Sequence, residues 1–226
     1  MSVYYDPVVS NRFPGLLVCS GVIDRIRVEK ENEQIQRLRR AVYEQVKAQY
    51  QIDTLKDDPT VRAHRDFYWK LGIDPTKTRP SGEALLRRVL NGNELPCIST
   101  VVDAYNLASM QTVVPISGFD RDCLSPPFKV RFAENDEQFV GIGMDKPMQL
   151  SERMLVLTDQ KQVLCIYPYR DSDCTKITMQ TRNAVIIGYG APGISREKLK
   201  DAVETTLMYI KQVAGGGIEA AEVFEA

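Results

Sequence analysis

The chain holds a single histidine, His64, among 226 residues. That scarcity argues against a His-activated nucleophile or a Ser-His-Asp triad, and the helical setting of His64 between Val61 and Tyr68 predicts a structural or solvent-facing role. The five cysteines (Cys19, Cys97, Cys123, Cys165 and Cys174) are odd in number and scattered, with no C-x-x-C pair. Such a set supplies neither a disulfide framework nor a zinc site. Reduced, mostly packed thiols are expected, with no metal and no cofactor. No apolar run approaches the length of a membrane span, and MSVYYDPVVSNRF lacks a basic segment followed by a long apolar core. A cytoplasmic protein with no membrane partner is expected. Charge of one sign is missing too: 29 Lys and Arg face 30 Asp and Glu. No overall field draws the chain onto nucleic acid, no DNA partner is expected, and any RNA contact must be local. No G-x-G-x-x-G, P-loop or kinase signature occurs; GIGMDK and GYGAPG read as glycine-containing strand ends.

What is present is the composition of a globular protein, 43% hydrophobic and 26% charged, long enough for one domain without covalent staples. Leu16, Val18, Val22, Ile26 and Val28 fall on one side of an extended segment with Arg25 and Arg27 on the other, predicting a half-buried strand. Ile35, Leu38, Val42, Val46 and Tyr50 recur at helical spacing. Asp58-Pro59 opens a second helix ended by Gly72, and Ser81 is positioned to cap a third, stopped by Asn91-Gly92. After a V-V-D-x-x-N helix the period changes to strands at FKVRF, FVGIG, MLVLTD, VLCIYPY and ITMQTRNAVIIGYG, with a hairpin at Asp159-Gln160-Lys161. A last helix starts near Ser195 and breaks at Gly215-Gly216-Gly217, leaving IEAAEVFEA as a loose acidic tail. Helices in the first half and strands in the second predict an α+β fold. The organisation expected is a strand and helix over residues 1–60, a core over 61–213 and the tail over 214–226, all one domain.

The segment LPCISTVVDAYNLASMQTVVPISGFD places Pro96, Val101, Val102, Asp103, Asn106, Pro115, Phe119 and Asp120 in a characteristic order. It resembles the core of the editing domain in the β subunit of phenylalanyl-tRNA synthetase. The stretch from His64 to Leu90 is similar to stand-alone proteins built around the same domain, and the resemblance covers roughly Val61 to Ile187. It implies a three-layer sandwich of two β-sheets and helices. It also implies binding of a tRNA acceptor end and hydrolysis of mischarged aminoacyl-tRNA, a translation-fidelity activity useful because a pocket for phenylalanine cannot strongly reject the hydroxylated tyrosine. Positioned donors and an oriented water suffice for that chemistry.

Carried over position by position, the resemblance places Ser117, in P-I-S-G-F-D, where bacterial synthetases of the family have a histidine. Serine keeps one hydroxyl to donate or accept. Asp171 and Ser172, in YRDSDCTKIT, fall where the family has an acidic residue followed by serine, the carboxylate that reads a tyrosine hydroxyl; aspartate is one methylene shorter. Asp171, Ser117 and Asn106 are the expected catalytic set, and Asp103, Asp120 and Ser172 the expected substrate contacts. Each has a plainer reading: Asp103 and Asn106 share a helix face and suit helix-terminal hydrogen bonds, Asp120 suits a loop brace, and Arg170 to Asp173 suits a polar turn. An acid/base pair of Asp103 and Asp171 is a further arrangement that the spacing leaves open. Lys77, Arg79, Arg87 and Arg88 form the densest basic region, just after Phe67, Tyr68 and Trp69, and are the expected RNA contacts. A solvated helix face beside core aromatics is the plainer reading there.

No segment resembles an ATP-binding core or an anticodon-binding domain, so a complete synthetase is not expected. Three readings follow: hydrolysis of mischarged tRNA in trans; a non-catalytic module binding tRNA, an aromatic amino acid or another small ligand; and a dimerisation or adaptor domain, which a large exposed apolar patch would favour.

Overall fold

Alternation and helical periodicity resolve into two sheets and one helical layer. The computed structural model describes residues 1–226. Short N-terminal elements β1 (Val3–Tyr5) and α1 (Pro7–Arg12) lead into β2 (Leu17–Asp24) and four helices: α2 (Glu33–Gln49), α3 (Pro59–Lys70), α4 (Ser81–Leu90) and α5 (Thr100–Thr112). Strands follow: β3 (Ile116–Asp120), β4 (Phe128–Phe132), β5 (Gln138–Phe139), β6 (Met148–Gln149), β7 (Leu155–Thr158), β8 (Val163–Ile166), β9 (Arg170–Asp171) and β10 (Ala184–Tyr189). Helix α6 (Arg196–Ala214) and β11 (Gly217–Glu225) close the chain.

One sheet has the order β11-β2-β10-β3, all neighbours antiparallel. The other runs β1-β4-β7-β8-β9, with β1 parallel to β4 and the rest antiparallel. Helices α5 and α6 lie on one face of the first sheet, with α2 and α4 packed on α5. Gly188 permits this close approach, since a Cβ there would sit 2.7 Å from a Val203 methyl of α6. The other face meets the second sheet: the Tyr167 hydroxyl donates to the carbonyls of Leu17 and Gly190, and the Tyr189 hydroxyl donates to Cys165 Sγ. The result is an α+β domain in three layers, helices, sheet and sheet. A single cluster of 54 buried apolar residues runs through all of them, so the chain is one domain. A satellite cluster of Ala133, Phe139, Leu150, Val156, Val163 and Ile166 fills the outer face of the second sheet under the β5–β6 ribbon. No helix is long and apolar enough to cross a membrane.

Several local expectations change. The β2 strand is buried on both faces, because β10 and β11 flank it and α6 covers it; it ends where Arg25 takes φ 54°. Pro80, not Ser81, stands at the N-cap of α4, with Ser81 as the first helical residue. FVGIG pairs in the β5–β6 ribbon only at Phe139; Gly141 then makes an isolated antiparallel bridge to Ser172, and Gly141 to Met144 close a turn. Residues 217–225, expected as a loose tail, form the edge strand β11 on β2, where Val223 opposes Cys19 and Phe224 opposes Val18. Burial of Ala221 and the ladder to β2 outweigh the repulsion of exposed Glu219, Glu222 and Glu225.

Candidate functional site

Helix α5 begins at the cap of Ser99, whose Oγ accepts from the Val102 N–H, and ends at Val113 in a left-handed turn (φ 61°) that redirects the chain into β3. Alternation along β3 then sends neighbouring side chains to opposite faces. Gly118 faces the helices, and a Cβ there would lie 2.8 Å from the Tyr105 ring. Ser117 faces the second sheet, where Asp171 ends β9 opposite Cys165. The Ser117 hydroxyl donates to Asp171 Oδ1 at 2.6 Å, and Ser117 is only 5% exposed. The Tyr189 hydroxyl on Cys165 Sγ, 3.1 Å away, completes a polar cluster between the sheets. Burial pushes the Asp171 carboxyl up to about 6, against the opposing pull of the Ser117 hydrogen bond. The pair therefore combines an acceptor that ionises close to neutrality with a hydroxyl able to rotate away from it, which suits reading a donor or orienting a water.

Asn106 sits on α5 beside Tyr105 and is partly buried. Asp103 belongs to a different arrangement. Its carboxylate accepts from Arg39 at 2.7 Å and from the Ile98 N–H at 2.9 Å, and Arg39 also donates to the Leu95 carbonyl. This ties the 95–98 connector to α2, and the hydrogen bonds of Asp103 go to these partners and not to Asp171. Burial raises the Asp103 carboxyl despite the Ile98 N–H and Arg39. Asp120 braces a turn, accepting from the Thr181 hydroxyl at 2.6 Å and from the Asp122 N–H. Ser172 turns away from Asp171: its Oγ lies 3.0 Å from Cys174 Sγ, and it lines an open cleft of about 460 Å³ with Val140, Gln162 and Asp173. The cleft reaches Ser172, but its lining includes neither Ser117, which is buried, nor Asp171, which is partly exposed.

The basic set divides. Lys77 and Arg79 are exposed on the α3–α4 connector, and Arg88 is exposed with its Nε on the Glu94 carbonyl. Arg87 is committed elsewhere: with Arg65 it holds the fully buried Glu83 at 2.6 Å, a structural ion cluster between α3 and α4. Its Nε is given to a buried carboxylate, so this expected RNA contact has a structural role in holding Glu83. Of the preceding rings Phe67 and Tyr68 are buried, and Trp69 is 56% exposed. His64 is buried with its ring nitrogens 2.9 and 3.1 Å from the carbonyls of Thr60 and Tyr189, joining α3 to the end of β10.

Sequence reasoning passed over Tyr105, Cys165 and Tyr189. Each sits in a run of apolar neighbours and carries no local mark separating it from ordinary core. The glycine at 118 is the one signal that points to Tyr105, since it leaves room for a ring. No group of three or more His, Cys, Asp or Glu side chains converges in a way that could hold a metal ion.

The B3/4 domain family model matches residues 63–215. The chain is 26% identical over 152 residues to the phenylalanine–tRNA ligase beta subunit of Haemophilus ducreyi, covering 57% of this chain and 19% of that protein. It is 24% identical over 177 residues to the beta subunit of Neisseria meningitidis serogroup B, covering 68% and 22%. The chain thus spans about a fifth of the length of these curated relatives. Its fold is similar to the crystal structure of an N-terminal fragment of the phenylalanyl-tRNA synthetase beta subunit from Pyrococcus horikoshii, with TM-score 0.51 and 18% identity over 96% of this chain and 50% of that one. With the family model spanning more than half of its residues, the chain belongs to the B3/4 domain family.

Proposed function

We propose that the protein binds the aminoacylated 3′ end of tRNA and hydrolyses mischarged aminoacyl-tRNA in trans. The observation that carries this reading is the Ser117–Asp171 pair, 2.6 Å apart between the two sheets. In this reading the Asp171 carboxylate accepts a hydrogen bond from the aminoacyl group, and Ser117 leaves Asp171 to hold the same group or the attacking water. Asn106 orients the ester from α5. The carboxyl of Asp171, raised to about 6 by burial, is mostly ionised at neutral pH and so accepts that hydrogen bond as a carboxylate. Asp103 and Asp120 support the reading as braces of the two segments that carry Asn106 and Ser117. Ser172 lies at the rim, where the cleft beside it offers a way in. Lys77, Arg79 and Arg88, with Trp69, supply phosphate and stacking contacts to the RNA. The setting is the cytoplasm, where charged tRNA is available.

One observation favours a second reading, a non-catalytic tRNA or small-ligand module: the pair satisfies itself, so a ligand must displace an existing short hydrogen bond before it is read. Hydrolysis of misacylated tRNA with the purified protein at catalytic concentration tests the proposal. Multiple turnovers releasing the wrong amino acid support a trans-acting deacylase. Binding by gel shift with no release above the spontaneous rate establishes the module instead.

A further inference from the structure

Phe119 of β3 and Lys176 form an antiparallel bridge, and on one side of it each strand tightens into a 3-10 turn, Arg121–Cys123 and Asp173–Thr175. These two turns pack together, and each carries one cysteine: Cys123 ends the first and Cys174 lies in the second. The side chain of Gln162 spans them: its Nε2 donates to the Cys123 carbonyl at 3.1 Å, and its Oε1 accepts from Cys174 Sγ at 3.0 Å. Both cysteines are exposed and carry free thiols, and Cys174 lines the open cleft beside Ser172. Cys19 and Cys165 are buried, and Cys97 lies on the 95–98 connector, where Lys30 holds its carbonyl.

We propose that Cys123 and Cys174 form a thiol pair that peroxide converts to a reversible disulfide, clamping the turn that follows Asp120 to the turn that follows Ser172. Cys174 reacts first. The Ser172 hydroxyl, 3.0 Å from its sulfur, donates to the thiolate when it forms, and the cleft admits a small oxidant. Burial, then Asp120 and Asp122, hold the Cys123 thiol above its ordinary value, so it serves as the resolving partner. The Cys174 thiolate attacks one peroxide oxygen, the O–O bond breaks, and a sulfenic acid and hydroxide form. The Cys123 sulfur then attacks Cys174 Sγ, the S–O bond breaks, and water leaves. Summed, two thiols and one hydrogen peroxide give one disulfide and two waters; a thiol reductant reverses the change. Disulfide formation draws Cys174 Sγ from Ser172 and Gln162, so the redox state alters the wall of the cleft next to Asp171.

The inference does not depend on the hydrolytic reading, and its test is covalent. The full-length protein is treated with hydrogen peroxide, unreacted thiols are blocked, and the peptides are mapped by mass without reduction. The expected result is a peptide pair joining Cys123 to Cys174, lighter by two hydrogens. Thiols reactive in the native protein fall from the three exposed cysteines, Cys97, Cys123 and Cys174, to Cys97 alone, and dithiothreitol restores them. Cys123→Ser and Cys174→Ser each abolish the linked pair, and the Cys123→Ser protein accumulates Cys174 sulfenic acid. A wild-type Cys174 that stops at sulfenic acid, or crosslinks that join Cys97 or two molecules in preference, would overturn the proposal. Circular dichroism of both serine variants confirms that a lost crosslink reflects the missing sulfur and not a lost fold.

Discussion

Ser117 Oγ and Asp171 Oδ1 meet at 2.6 Å across the interface of the two sheets, although 54 positions separate them in the chain. The Asp171 carboxyl is raised to about 6 from an ordinary 3.8. The folded protein therefore binds a proton more tightly at this site than the unfolded chain does. Stability from this group is fully present below about pH 4 and is lost as pH rises through about 6. The ionised form costs on the order of 2–3 kcal/mol. Asp171→Asn keeps an oxygen for Ser117 and removes the charge, so it should be more stable than the native protein at pH 8 by about 2 kcal/mol and equal to it near pH 4. Urea unfolding at the two pH values measures this. A less stable variant at pH 8 contradicts the buried-carboxyl account.

Glu83 is fully buried and holds both Arg65 and Arg87 at 2.6 Å. Removing one member of such a cluster leaves buried charge without its counterion. Glu83→Gln should cost about 3 kcal/mol in chemical denaturation, reduced somewhat because the arginines retain some solvent contact. Asp74→Asn, which removes the long 4.0 Å surface contact to Lys77 and keeps an oxygen for the Thr76 N–H and hydroxyl, should change stability far less than Glu83→Gln does.

If the basic connector reaches RNA, Lys77→Ala and Arg79→Ala should each weaken tRNA binding and lower the slope of log affinity against log salt by about 0.7–0.9. Arg87→Ala should instead lower thermal stability, because its charge serves Glu83. Fluorescence titrations over a salt series separate the two effects. Equal slopes for all three variants and the native protein would remove this surface from the interface.

Truncation after Ala214 deletes β11 and uncovers the edge of β2 over Leu17 to Asp24, a stretch buried in the intact chain. The shortened protein should aggregate or unfold at concentrations where the full chain stays monodisperse. Light scattering decides it, and a monodisperse, folded truncation would show that β11 adds little.

The sequence made α2 and α6 legible because Ile35, Leu38, Val42 and Val46, and likewise Leu199, Val203, Leu207 and Ile210, mark one face each. The β2 strand was harder to read: its outward side is covered only because α6 returns to it from far along the chain. The β11 strand was hidden by its own bulge between Glu219 and Glu222, which breaks the two-residue period on which a strand is recognised. In the site, alternation along P-I-S-G-F-D separates Ser117 from Gly118, but nothing local says which strand faces Ser117. Only the resemblance put Asp171 beside it. The partner of Asp103 is Arg39 of α2, 64 positions away, and no spacing rule anticipates it; Arg87 meets Glu83 at the i,i+4 spacing of α4, but nothing local says that Glu83 is buried and shared with Arg65 of α3.

The most direct measurement compares the native protein with Asp171→Ala on one tRNA carrying tyrosine, meta-tyrosine or phenylalanine in turn, following both hydrolysis and tRNA affinity. A hydrogen bond to a charged acceptor contributes about 1.5–3 kcal/mol, or roughly tenfold to a hundredfold in rate. The account predicts that the native protein prefers one aminoacyl group by at least that factor, and that the variant loses the preference while tRNA affinity stays within about twofold. Equal losses for every aminoacyl group, with tRNA affinity unchanged, would contradict the assignment of Asp171 as the residue that reads the substrate.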